Sequence, residues 1–198
     1  HLQVSEEKQL EETTSSNMEG LLLTNTSINI TDLIPTTESD VNNSLTNNCK
    51  DSSGETICSL YDFSVTNNEN TTKEISFSLV GNYNESTYSY DSIVNTFSNI
   101  KFKIFKGEKT SINYSSTSIM TSDILKPNVK TIDLPKLNTT IEKGQTLTYT
   151  IMFWIEKTSD NQAMLDASKM FDANVLVNFT EKGDLIYKEK LLNGNYPD

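Results

Sequence analysis

The chain has 198 residues, enough for one well-buried domain or for a domain carrying an extended arm, and a formal net charge of −11. That charge argues against nucleic acid, where Lys and Arg must displace counterions, and against an anionic membrane surface. Apolar residues make up only 35%, and no apolar stretch approaches the ~18 residues of a spanning helix.

Asn, Ser and Thr fill the composition, as expected of a β-sandwich that buries alternate residues and exposes the rest. Disorder throughout is not expected, because the eight Phe, eight Tyr and single Trp fall inside strand-like runs. No signal-peptide pattern is visible, so a chain opening His1-Leu2-Gln3-Val4 is expected to be a processed form.

Residues 1–19 read as an N-terminal arm. Glu6, Glu7, Glu11, Glu12 and Glu19 dominate it, and Leu2, Val4 and Leu10 offer its apolar anchors. The β-sandwich domain is expected to span residues 20–198. Its first strand is Leu21-Leu22-Leu23-Thr24, and Ser27 to Pro35 alternates so that Ile28, Ile30 and Leu33 point inward before Pro35 ends pairing.

A polar loop then leads to Cys49 and Cys58, the only two cysteines, which enclose a turn-forming Ser-Ser-Gly. With no other thiol or histidine nearby, a disulfide is the favoured reading over two free thiols or half a metal site. It would contribute roughly 2–3 kcal/mol by restricting the unfolded chain and would imply an oxidising compartment.

Leu60 to Thr66 is the clearest period-two run, with Tyr61, Phe63 and Val65 on one face. Asn67 to Asn70 reads as a turn into a second alternating run, Lys73 to Gly81, with Ile75, Phe77 and Leu79 inward. The two runs together predict a hairpin. Asn82 to Ser98 is a Tyr/Ser-rich excursion, and Ile100 to Lys106 is a strand with Phe102 and Ile104 inward, ending at a Lys106-Gly107-Glu108 turn.

Val129 to Leu134 predicts a strand stopped by Pro135, and Thr139 to Gly144 a strand end and turn. Thr146 to Glu156 and Phe171 to Thr180 are the two long strands that anchor an all-β, antiparallel β-sandwich. Between them Asp160 to Ser168 predicts one short helical connector, and Leu185-Ile186-Tyr187 a last short strand.

The order of these elements resembles the TasA/camelysin-like surface proteins of Firmicutes. The resemblance rests on Gly20 to Thr24, Ile28 to Pro35, the aromatic-x-Phe-x-Val-x-Asn strand Tyr61 to Asn67, and Lys143 to Ile155 followed by Asp160-Asn161-Gln162 and Phe171 to Asn178. It covers about residues 20–181 and implies a jelly-roll-like sandwich that is exported and often assembled into extracellular fibres. In fibre-forming members an N-terminal segment of one subunit fills a groove in the next, a form of β-augmentation. Two departures stand out: the cysteine pair before the Tyr61 strand, and the sparse, acidic arm.

Motifs for catalysis are missing from the sequence. His1 is the only histidine, so neither a histidine brace nor a His-Glu-x-x-His zinc site can be assembled, although camelysin-type proteins are classed as metallopeptidases. There is no Gly-x-Ser-x-Gly and no phosphate-cradling glycine loop. The pairs Glu6/Glu7, Glu11/Glu12 and Asp160/Asp166 read as solvated surface, and Asp51, Asp160 and Asp166 lack a calcium-loop pattern.

Sequons at Asn25, Asn29, Asn42, Asn70, Asn84, Asn113, Asn138 and Asn178 are expected by chance at this composition. Tyr149, Phe153 and Trp154 read as core rather than as a sugar platform. The sequence therefore predicts a non-enzymatic, extracellular structural subunit without cofactor or metal, polymerising head-to-tail with copies of itself through the arm. The alternative is a monomeric surface adhesin using Tyr83, Tyr88 and Tyr90 as a contact loop.

Overall fold

A computed structural model describes residues 15–18, 20–93, 99–126, 128–158 and 170–181. The expected anchors Leu2, Val4 and Leu10, the helical connector at 160–168 and the short strand at 185–187 lie outside the described residues.

The fold is an antiparallel β-sandwich. One sheet has the order β1 (Ser15–Met18), β2 (Leu21–Thr24), β4 (Ser59–Asn67), β12 (Thr146–Ile155), β8 (Ile100–Lys106) and β9 (Met120–Thr121). The facing sheet has the order β10 (Thr131–Asp133), β5 (Lys73–Gly81), β13 (Met170–Glu181) and β3 (Ser27–Thr31), with β11 (Thr139–Ile141) also on β5. A separate small hairpin pairs β6 (Tyr83–Asn84) with β7 (Ser89–Tyr90).

Period-two alternation fills the space between the sheets. Leu21 and Leu23, Phe63 and Val65, Phe102 and Ile104, and Tyr149, Ile151 and Phe153 point in from one side. Ile28 and Ile30, Ile75, Phe77 and Leu79, and Phe171, Val175 and Val177 meet them from the other. Phe63, Phe77 and Tyr149 form a ring cluster with centroids 5.5–5.9 Å apart, and Phe153 packs on Phe171 at 4.9 Å across the gap.

The expected β4–β5 hairpin does not form. β4 pairs with β2 and β12, whereas β5 pairs with β10, β11 and β13 in the other sheet. Residues 68–72 are an arch that carries the chain across the ~10 Å between sheets, not a turn within one.

Asn67 holds that arch. Fully buried, it donates from Nδ2 to the carbonyls of Thr71 (2.9 Å) and Ile141 (3.1 Å), and Oδ1 accepts from the Glu69 N–H at 3.0 Å. Its backbone N–H donates to the Gln145 carbonyl (2.9 Å) and its carbonyl accepts from the Gly144 N–H (2.7 Å). One asparagine thus ties the β4–β5 crossing to the β11–β12 crossing.

β12 is buried on both faces. Its outward residues Met152 and Trp154 are as inaccessible as the inward ones, because a second layer covers them. That layer contains α1 (Glu38–Ser44), capped by the Thr37 hydroxyl on the Asp40 N–H at 3.2 Å, a 3-10 turn and the Cys49–Cys58 disulfide. Val41, Cys49, Cys58, Phe105, Met152 and Trp154 form a small core separate from the inner one. The cysteines' Cα atoms are 5.1 Å apart, as a disulfide requires.

Candidate functional site

Among the described residues, one edge of the sandwich is paired along only part of its length. Along β4, β2 covers only Ser64–Asn67; the chain then crosses sheets at Asn25, in a left-handed conformation (φ 58°), and at the buried Thr26. β3 continues beside β13 but covers only Met170–Asn174. The Thr26 carbonyl accepts from the Val175 N–H at 2.7 Å, the last contact on that side.

Among the described residues, nothing pairs with β13 beyond Val175 on this side. On its other side, β13 stays paired with β5 as far as Glu181 opposite Lys73.

Strand geometry fixes what this edge presents. Because the Val175 N–H points toward β3, the N–H and C=O groups of Val177 and Phe179 point the same way, to the side where no described strand pairs with them. The same two side chains face the inner core, Val177 fully buried and Phe179 half-buried with the Lys73 ammonium 5.0 Å from its ring. The Thr180 hydroxyl on this stretch is buried with no hydrogen-bond partner among the described residues, as is the Thr26 hydroxyl.

The expected arm is partly placed. Its residues Ser15–Met18 form β1, paired in register with β2 on the adjoining edge, so the first sheet begins there rather than at Gly20. Gly20 (φ 86°) lies between β1 and β2, and its carbonyl accepts from the Asn68 N–H at 2.7 Å.

The tyrosine segment separates into two parts. Tyr83 and Tyr90 sit opposite each other in the β6–β7 hairpin with rings edge-on at 5.3 Å, while Tyr88 stands in the turn, 81% exposed, with φ 50°. Asn84 shapes that turn, its Oδ1 accepting from the Ser86 N–H (2.9 Å) and hydroxyl (2.7 Å). The hairpin leaves β5 at Gly81, where a Cβ would lie 1.6 Å from the Asp91 carbonyl oxygen; only glycine allows so close a return. Residues 94–98 of the segment lie outside the described residues.

Beside the disulfide, a groove of about 1070 Å³ opens on the outer face of the first sheet, between the α1 layer and residues 109–118. Phe105, Ile112, Tyr114, Lys103 and both cysteines line it. Tyr114 packs edge-on to Phe105 at 5.1 Å and donates its hydroxyl to the Lys109 carbonyl at 2.9 Å. Burial and the nearby Asp62 charge push its pKa up to about 12.

This layer and groove were missed by the sequence reading. The available signal was Met152 and Trp154 at outward positions of β12, apolar where a solvent-facing strand would be polar. Among the described residues no group of three or more His, Cys, Asp or Glu side chains could hold a metal ion, and no helix is long and apolar enough to cross a membrane.

No family model matches the chain, and no curated protein matches it. Among solved structures it is similar to the infectious bursal disease virus VP2 subviral particle, at 14% identity and a TM-score of 0.30. The overlap covers 80% of this chain and 33% of that one, so the chain spans about a third of its neighbour. A likeness of this degree assigns neither a family nor a function.

Proposed function

We propose that this protein is a non-enzymatic, extracellular structural subunit that polymerises by strand exchange, the N-terminal segment of one copy filling the edge of the next. The observation that carries this reading is the stretch Val177–Glu181 of β13, which among the described residues has a partner strand only on its β5 side, while Val177 and Phe179 face the core. Main-chain hydrogen bonds supply the strength of such a contact, and alternate side chains set its register. Leu2 and Val4, two residues apart, have the spacing to face the core together. The contact is heterologous, so it propagates into a filament unless it closes into a ring. The disulfide suits an oxidising exterior.

The test is negative-stain electron microscopy at rising concentration, beside the same chain lacking residues 1–12. Filaments are expected from the full chain, and folded monomers from the shortened one. Filaments persisting after the deletion would sink strand exchange through the arm.

A second reading, a monomeric adhesin, is favoured by one observation: Tyr88 stands exposed at the tip of a hairpin whose turn is fixed by Asn84. It predicts compact monomers at every concentration and binding to a surface receptor that Tyr88→Ala abolishes.

A further inference from the structure

We propose that residues 37–58 form a disulfide-locked lid that opens when the Cys49–Cys58 bond is reduced, while the two-sheet sandwich stays folded. Opening uncovers an apolar strip on the outer face of the first sheet. The argument starts from what holds the lid. Its helix has seven residues, too short to persist unaided, and gives only Val41 to the outer core as a fully buried aliphatic, with Leu45 half-buried beside it. The two cysteines supply the rest of the lid's share of that core. Ile57 is the other buried aliphatic between 37 and 58.

The lid makes no strand ladder with the sheet it covers. Its backbone ties are at its ends: the Thr36 N–H to the Ile155 carbonyl (2.8 Å), the Lys157 N–H to the Thr36 carbonyl (2.8 Å), and the Ile34 N–H to the Thr56 carbonyl (3.1 Å). The Glu38–Lys103 ion pair at 2.7 Å is partly exposed and adds little. Within the lid, the Ile57 N–H bonds to the Cys49 carbonyl at 2.8 Å, a contact that closes the same small loop as the disulfide. Inner-core residues, by contrast, belong to a cluster that includes no residue from 37–58.

The groove supplies the approach for a reductant, because both cysteines line it. A thiolate of a small dithiol attacks one sulfur of the pair, for instance Cys49 Sγ, and Cys58 leaves as a thiolate that takes up a proton. The second thiolate of the dithiol then displaces Cys49, which is protonated in turn. The protein gains two electrons and two protons, and the dithiol leaves as a disulfide. What the open lid exposes is Met152, Trp154 and Phe105, a contiguous strip of the kind that drives association. Oxidation therefore closes a sticky face, and a reducing environment holds it open.

The test uses the full chain with and without dithiothreitol, and thiol alkylation to confirm complete reduction. Amide exchange across 37–58 is expected to accelerate on the order of thirtyfold, with β4, β5, β12 and β13 keeping their protection. Emission from Trp154, the single tryptophan, is expected to move to longer wavelength as its cover leaves. The C49S/C58S double variant is expected to reproduce the reduced state without reductant. Three results would overturn the proposal: unchanged exchange in 37–58 after full reduction, simultaneous loss of protection throughout the sandwich, or a bond that dithiothreitol does not cleave in the folded protein.

Discussion

Two cores meet on the strand β12, and they are held by different means. Leu147, Tyr149, Ile151, Phe153 and Ile155 face the inner core, where both sheets contribute residues from strands far apart in sequence. Met152 and Trp154 face the outer core, which is closed by a short helix, one loop and a disulfide. The inner core is cooperative because each of its strands is also a rung in a hydrogen-bonded sheet. The outer core depends on a covalent staple where a ladder is lacking. Adjacent residues on one strand are therefore expected to report on different parts of the molecule.

The sharpest way to break this comparison is to truncate neighbours. Phe153→Ala leaves a cavity between Phe102 and Phe171, whose rings lie 5.7 and 4.9 Å away, and should lower global stability by roughly 3–5 kcal/mol in a denaturant titration. Trp154→Ala removes a larger side chain, yet its main effect should be faster amide exchange in 37–58. If the two variants lose equal global stability, the outer core is no separate unit.

A second prediction concerns the link between the sheets. Asn67→Ala strips a partner from the buried Ile141 carbonyl, from the Thr71 carbonyl and from the Glu69 N–H. A loss of roughly 2–4 kcal/mol is expected, with exchange rising first at the arch and at 141–145.

Alkaline pH should weaken both cores, by a smaller amount. Tyr114 in the outer layer is raised to about 12, and Tyr61 and Tyr149 in the inner core are also raised, each chiefly by burial. In the unfolded chain these phenols ionise near pH 10, while the folded protein keeps them protonated longer. Their contribution is therefore complete below pH 10 and is lost as pH rises toward 12. A stability-versus-pH curve that stays flat across that window would contradict the burial of these rings. The smallest effect is expected from Glu38→Gln, since its partnership with Lys103 is partly solvated: under about 1 kcal/mol, confined to exchange in the lid.

Most strand positions were legible in the sequence, because alternation is a local signal and each strand buries one face. Tyr61, Phe63 and Val65 do share the inner side of β4, and Ile75, Phe77 and Leu79 that of β5. Turn residues were legible too: Gly107 and Gly144 both take positive φ where the chain reverses. The partly paired edge was not legible. How much of it the described strands pair depends on how far β2 and β3 extend along β4 and β13, a register that no single strand contains.

The sequence by itself determined where the long strands lie, which of their residues face the inner core and that Cys49 can reach Cys58. These follow from side-chain type, period and short loop length. The tertiary structure decided which sheet each strand joins. Two facing sheets place the same demand on an alternating strand, so β4 and β5 looked like hairpin partners until Asn67 was found closing an arch between sheets. It also decided that β12 is buried twice. Burial of an outward face is not a property of the strand; it depends on what another part of the chain lays over it.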